Sequence, residues 1–395
     1  MAKIVVLGSS FGGLTAAFEL KRLLGKDSDV TVVSDDDRFV FLPSLPWLIM
    51  GWRRPDDITL SVSSILRPKG IQFVHEAAIT VDPDSSKVRT ATKELPYDFL
   101  VISTGPYLSF DEIPGLGPDK GHTDCTFTLD HGTKTHESLK KVFESPGPIV
   151  LGSSQMVSCF GPSYELAFEI DAELRRRKMR HKVPIIYLTS EPYLGHMGVG
   201  GLGNSKRFFE DEFAIRDIKS VVNQAIEEVT PGDIKLKDGT KIPFKMAMIA
   251  PPFKGVPAVA SLGNPRGFIP ADKNYRHPKH RNIFTIGVAM AIAPPEVTPV
   301  PTGVPKTGFM TVKMAKTAAA TIYSDIKGST PPPMDELSVV CLMDMGNTAA
   351  LMKASPVLPP RQDSYTKKGV WAKWMKLGFE KYFLYKMKNG LSNLP

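Results

Sequence analysis

The segment that most constrains the fold of this chain lies at its start. Lys3 to Leu7 is a short apolar run, and Gly8-Ser9-Ser10-Phe11-Gly12-Gly13 follows it. Leu14, Ala17, Phe18, Leu20, Leu23 and Leu24 then recur at helical spacing before a second apolar run, Asp29 to Ser34. Strand, glycine loop, helix and strand in about thirty residues predict the first βαβ unit of a doubly wound sheet. Glycine suits such a loop because a residue without Cβ lets backbone N–H groups approach a pyrophosphate, and the helix N-terminus adds partial positive charge. Ser10 stands where the G-x-G-x-x-G pattern has its middle glycine. The acid expected at the end of the second strand is also displaced: Ser34 ends the strand and Asp35 follows. Either could hydrogen-bond a ribose.

Two later segments extend this reading. Tyr97 to Ser103 is an apolar strand ending in Ser103-Thr104-Gly105-Pro106, and Asn282 to Gly287 is another. Strands ending in small residues at these places bring backbone against FAD in flavoproteins with two dinucleotide-binding domains. The FAD domain is therefore expected to be split, 1–105 with 283–330. The middle segment, 106–282, starts a second βαβ unit with Ile149 to Leu151 and Gly152-Ser153-Ser154-Gln155-Met156-Val157. Only Gly152 of a second glycine pattern is present, and Val157 sits where close helix packing favours glycine. Cys159-Phe160-Gly161-Pro162 then interrupts the expected helix. Such a domain would no longer take NAD(P)H, so the reductant would enter elsewhere. Pro331-Pro332-Pro333 marks a linker. The C-terminal region, 331–395, reads as a strand with Cys341, a Pro-rich stretch from Pro356 to Pro360, and a basic helix. The fold class is thus α/β, two Rossmann-like domains of glutathione-reductase type with a C-terminal membrane-anchoring region.

Composition locates the charge. The 395 residues exceed what one core usually supports. The net charge is +8, and seven lysines against one acid, Glu380, lie between Lys367 and Lys388. The excess sits in the tail, which argues against a nucleic-acid partner and for an anionic surface. In the tail helix Trp371, Trp374, Met375, Gly378, Tyr382 and Tyr385 fall at three- and four-residue spacing, flanked by Lys373, Lys376, Lys381, Lys386 and Lys388. Aromatics with a basic rim suit the bilayer interface; a stripe packed on the body of the protein explains the same spacing. No run approaches the ~20 apolar residues of a membrane span. Gly8 ends the first apolar run too early for a signal peptide, which leads us to expect a peripheral or monotopic protein on the cytoplasmic side of a membrane. Three cysteines without a Cys-x-x-Cys, and eight scattered histidines, give no metal-ligand spacing.

Three motifs carry a resemblance. Cys159-Phe160-Gly161-Pro162-Ser163-Tyr164-Glu165, Pro301-Thr302-Gly303-Val304-Pro305-Lys306-Thr307-Gly308-Phe309 and Val340-Cys341-Leu342-Met343-Asp344-Met345-Gly346 resemble the sulfide:quinone oxidoreductases, chiefly bacterial members with three matching cysteines. The resemblance covers nearly the whole chain. It implies an FAD flavoprotein, membrane-bound from one side, that oxidises sulfide to polysulfide or sulfur and reduces a membrane quinone. A homo-oligomer remains open. The FAD site would draw on Gly8, Ser10, Phe11, Gly12, Gly13, Ser34, Asp35, Ala78, Thr104, Gly105, Pro106, Gly287, Gly303 and Lys306. Lys306 would stabilise negative charge on the reduced ring.

Cys159 and Cys341 would form the sulfur-carrying pair. Attack of HS⁻ on one sulfur of a bridged pair gives a persulfide and frees the other thiolate. Taken singly, either cysteine would pass for a small buried hydrophobe. The helix start after Cys159 argues otherwise, because a helix N-terminus lowers a thiol pKa. Cys125 matches the family's third cysteine, with a structural role equally open. Glu165 is expected as general base. His131 and His196 match family histidines near the flavin and the quinone route. Gly308, Phe309, Leu342, Lys376 and Phe379 match positions lining the quinone pocket. Two departures concern that pocket. Leu342 replaces a phenylalanine, and the chain ends at Pro395 where family members continue and supply a tyrosine. The competing readings are the flavin subunit of a flavocytochrome c sulfide dehydrogenase, a type II NADH:quinone oxidoreductase, and a non-enzymatic FAD protein.

Overall fold

The computed structural model describes residues 1–331 and 336–393, so Pro332 and Pro333 of the expected linker lie outside the described residues. Ala2–Leu7 pairs in parallel with Ser28–Ser34 on one side and Phe99–Ile102 on the other. Gln72–His75 and Ile283–Thr285 complete a five-stranded parallel sheet. The helix Phe11–Leu24 crosses between the first two strands, buried along Leu14, Ala17, Phe18 and Leu20 as its spacing predicted. The helix Gly308–Lys327 packs beside it.

A second parallel sheet runs in the order Ile218–Val221, Ile185–Thr189, Ile149–Ser153, Met246–Ala250. Its strands are apolar because helices cover them; Ile149, Val150 and Leu151 are fully buried. The helix Gly161–Arg176 packs on this sheet and also on the strand Val339–Asp344.

The C-terminal region is a three-stranded antiparallel sheet, Val339–Asp344, Ala349–Ser355 and Asp363–Gly369, followed by the helix Val370–Lys388. Phe383 of that helix stacks on Phe11 at 4.6 Å, and Phe379 meets Phe41 edge-on at 5.5 Å. The last helix therefore lies against the start of the first one. No helix among the described residues is long and apolar enough to cross a membrane.

Candidate active site

The first glycine loop has no room for side chains. A Cβ on Gly8, at φ +99°, would lie 2.3 Å from the Ser103 carbonyl oxygen, and one on Gly13 would lie 1.8 Å from that of Gly8. A Cβ on Gly12 would meet Ser103 Oγ at 2.4 Å, and one on Gly287 would meet Thr311 Cγ2 at 3.0 Å. The loop, the end of Phe99–Ile102 and the end of Ile283–Thr285 thus converge backbone to backbone. At the start of Phe11–Leu24, Ser10 makes no side-chain cap and the first turn carries no acid. That leaves the positive end of the helix free for an anion. Ser34 Oγ accepts from Ser9 Oγ at 2.9 Å and from Asp36 N–H at 3.3 Å. Asp35 is exposed, and its carboxylate has no hydrogen bond or ion pair among the described residues. Of the two candidates for a ribose contact, Asp35 is the one whose acceptor oxygens are free. These features fit a dinucleotide with a pyrophosphate, as FAD has.

Lys306 adds an unpaired cation. No carboxylate pairs with it among the described residues; its ammonium sits 5.1 Å from the Phe268 ring centre. Burial pushes its pKa down to about 8. Gly303 is held by its N–H donating to the Val157 carbonyl at 2.7 Å, which ties the Lys306 loop to the Cys159 loop.

The second loop is filled from within. Ser154 N–H donates to the Ala250 carbonyl at 3.0 Å and Met156 N–H to that of Pro301 at 2.8 Å. Ser163 Oγ donates to the Gly152 carbonyl at 2.9 Å, and the helix begins only at Gly161. The acid at the end of the second strand, Glu191, is fully buried. It accepts from Tyr164 Oη at 2.8 Å, Thr189 Oγ1 at 2.9 Å and Met197 N–H at 2.7 Å. Burial pushes it up to about 7. Amides and an acid that bind a nucleotide elsewhere are here bonded to the protein itself.

Cys159 ends that loop, two residues before the helix, and Cys341 faces it from the strand Val339–Asp344. A Cβ on Gly161 would lie 4.0 Å from Cys341 Sγ. All three cysteines are free thiols. The helix start was expected to lower the Cys159 pKa, but burial outweighs it. Both thiols are pushed up to about 12, by burial in each case and for Cys341 also by the neighbouring Cys159. Cys125 is fully buried, and burial likewise raises it to about 12.

Glu165 is 6 % exposed and ion-paired with Lys376, and its Oε1 also accepts from Asp344 N–H at 3.2 Å. The carboxylate expected on the sulfide side is thus joined to the lysine expected on the quinone side. Burial drives the Lys376 pKa well down. Lys376 also lies 4.6 Å from the Trp47 ring centre. His131 stands in the first turn of Leu129–Glu144, edge-on to Phe110, with Nε2 3.6 Å from Asp119 and its pKa lowered by burial. His196 is 1 % exposed. Its Nδ1 accepts from Gly198 N–H at 3.2 Å, so its Nε2–H donates to Glu296 at 2.8 Å. Glu296 had no signal in the sequence, because it meets His196 from a distant part of the chain; Asp344 lay inside the Cys341 motif without a role of its own.

Helix Val370–Lys388 buries charged residues beside Phe383 and Met387 and exposes large aromatics. Trp371, Trp374, Met375, Tyr382 and Tyr385 are exposed, Trp374 at 69 %. Lys376, Glu380 and Lys386 are buried. Glu380 is anchored by Arg53 Nε at 2.9 Å and Ser44 Oγ at 2.6 Å. The aromatic stripe is not packed on the body. Trp52 joins it from the neighbouring loop, 37 % exposed and 5.7 Å from Lys373 Nζ.

Comparison with known proteins bears on all of this. Residues 2–319 match the family described as pyridine nucleotide-disulphide oxidoreductase. The chain is 41 % identical to the sulfide-quinone reductase of Aquifex aeolicus, over 99 % of this chain and 92 % of that one. The X-ray structure of the sulfide:quinone oxidoreductase from the same bacterium superposes with a TM-score of 0.94 at 40 % identity, with the same coverage of both chains. A mitochondrial sulfide:quinone oxidoreductase of Mus musculus is 26 % identical over 72 % of this chain and 65 % of its own.

Proposed function

From the premise that this chain belongs to the pyridine nucleotide-disulphide oxidoreductases, and among them to the sulfide:quinone oxidoreductases, we propose how its own residues carry the reaction. It is an FAD-dependent enzyme that oxidises sulfide and reduces quinone, and it is membrane-associated. FAD, when bound, accepts the electron pair released by sulfur–sulfur bond formation and yields it to quinone. The glycine loop and the Phe11 helix start would hold its pyrophosphate, Asp35 its ribose, and Lys306 the negative charge of its reduced form.

Cys159 and Cys341 carry the sulfur. In the oxidised, bridged form of this pair, HS⁻ attacks one sulfur, a Cys–S–SH forms, and the other cysteine leaves as thiolate. Burial makes that thiolate a strong base, so it takes the more acidic persulfide's proton. Persulfide and thiol then stand ready to join again, with one sulfur more between them, as one proton and two electrons leave. What supports this assignment most is a single arrangement. Cys159 ends a loop whose amides are bonded internally, and it faces Cys341 across the start of Gly161–Arg176.

The domain division follows the two sheets: 1–105 with 283–330, 106–282, and 331–395. Membrane contact falls to the exposed aromatics of Val370–Lys388 and to Trp52, on the cytoplasmic face. Anaerobic mixing with sulfide tests the chemistry. Sulfide should bleach the flavin absorbance while NADH leaves it unchanged. Cys159→Ala and Cys341→Ala should each retain FAD and lose bleaching; bleaching at the normal rate in either variant rejects the assignment.

A further inference from the structure

Helix Gly161–Arg176 carries Glu165, Glu169 and Glu173 at four-residue spacing. They share one face, about 6 Å apart along the axis. All three are buried, at 6 %, 0 % and 6 % exposure. Like charges at this spacing repel, and apolar residues would pack there at lower cost.

The two ends of this face differ. Glu165 pairs with Lys376 on the quinone side. Glu173 pairs with Arg176 and Arg177 at 2.6 Å each and lines an open groove of about 750 Å³ shared with Trp52, Ala172, Gly346 and Lys373. Glu169 lies between them, and neither of its carboxyl oxygens has a hydrogen-bond partner. Burial, and then the Asp344 carboxylate, hold its pKa well above the usual range, with Lys373 opposing. Burial therefore favours the neutral, protonated form of Glu169. Asp344 links the same two ends. Its Oδ2 accepts from Trp47 Nε1 at 3.0 Å and lies 3.5 Å from Lys373 Nζ, while its N–H reaches Glu165.

We propose that the Glu165–Glu169–Glu173 face, with Asp344 beside it, is the proton inlet for quinone reduction, running from the Trp52–Lys373 groove to Lys376. This rests on the sulfide:quinone reading. Quinone becomes quinol by taking two electrons, which the established activity supplies, and two protons. Lys376 Nζ passes the proton it shares with Glu165 to a quinone oxygen. The Glu169 O–H bond breaks, and its proton passes to the Glu165–Lys376 pair and restores the shared proton. A rotation of the side chain or one water spans that step. Glu169 then recovers a proton from water in the groove by way of Glu173, which lines it. Two passes deliver both protons and return every group to its starting state.

Glu169→Gln keeps the shape of the side chain and removes the proton donor. Sulfide should bleach this variant's flavin at the wild-type rate, while a short-chain quinone reoxidises the reduced flavin at least tenfold more slowly. Infrared absorption supplies a second readout. At about pH 9, Asp124 and Glu191, with values of about 6 and about 7, are ionised. The wild-type protein should still show the carbonyl band of a protonated carboxylic acid, and Glu169→Gln should lose it. Unchanged reoxidation, parallel slowing of both half-reactions, or no such band in the wild type would each overturn the inlet. Where the variant fails to fold, absence of the band from the wild type still overturns the inlet. A wild-type protein that sulfide does not bleach overturns the enzymatic reading and the inlet together; intact bleaching with unchanged reoxidation overturns the inlet alone.

Discussion

Lys306 shows what a single residue contributes. A cation that burial holds near pKa 8, with no carboxylate beside it, is costly unless it meets negative charge elsewhere. The sign of its pH dependence follows. Below about 8 the lysine is charged and favours an anionic partner; as pH rises through about 8 that help is lost. With saturating sulfide, flavin bleaching should therefore slow above about pH 8 in the wild type. Lys306→Met should be slower by about tenfold at neutral pH and show no step near that value. A step retained in Lys306→Met would assign it to another group. The Pro-Thr-Gly-x-Pro-Lys frame made this lysine legible, as the motif around Cys159 made that cysteine legible. The direction of the Cys159 shift was not legible, because a helix start can be read locally whereas burial is set by parts of the fold far off in sequence, the Cys341 strand among them. Glu169 was invisible for the same reason: at its spacing an acid reads as the wet face of a helix.

At the scale of elements, the last helix separates what periodicity tells from what it leaves open. The three- and four-residue spacing of its aromatics was plain, and so was the surplus of lysine. Which face turned inward was not, because aromatic and basic residues interleave and both faces look amphipathic. The answer lies in partners remote in the chain. Glu165 takes Lys376, and Arg53 and Ser44 take Glu380, so these charges go in beside Phe383, while the tryptophan and tyrosine face goes out. Exposed Trp371 and Trp374 beside Trp52 have the character of an interfacial surface. Replacing both Trp371 and Trp374 by serine should weaken sedimentation with anionic lipid vesicles by roughly tenfold or more, while sulfide still bleaches the flavin. Unaltered vesicle binding would move the contact elsewhere. The broken second glycine loop was equally legible as a pattern. Its physical meaning needed the tertiary bonds from Ser154, Met156 and Glu191 that occupy it.

Across the whole molecule, the C-terminal helix is one of the ties between the segments packed on the two parallel sheets. Arg53 and Ser44 belong to the segment after the first sheet's second strand, and Glu165 belongs to the helix covering the second sheet. One helix holds ion pairs to both. Removing residues 367–395 to detach the protein from a membrane would therefore also strip Glu165 and Arg53 of their partners. Breaking a buried pair from one side costs on the order of 3–5 kcal/mol, so truncation should lower the melting temperature and loosen FAD as well as abolish vesicle binding. Lys376→Met isolates that energetic part, leaving Glu165 buried and unpaired while every exposed aromatic stays in place. It should melt well below the wild type and still sediment with vesicles. Joining Glu165→Gln to it should recover much of the loss, because the second change removes the stranded charge. Calorimetry on the single and double variants measures this directly. Equal destabilisation in both would mean that packing, rather than the ion pair, holds the helix across the two sheets.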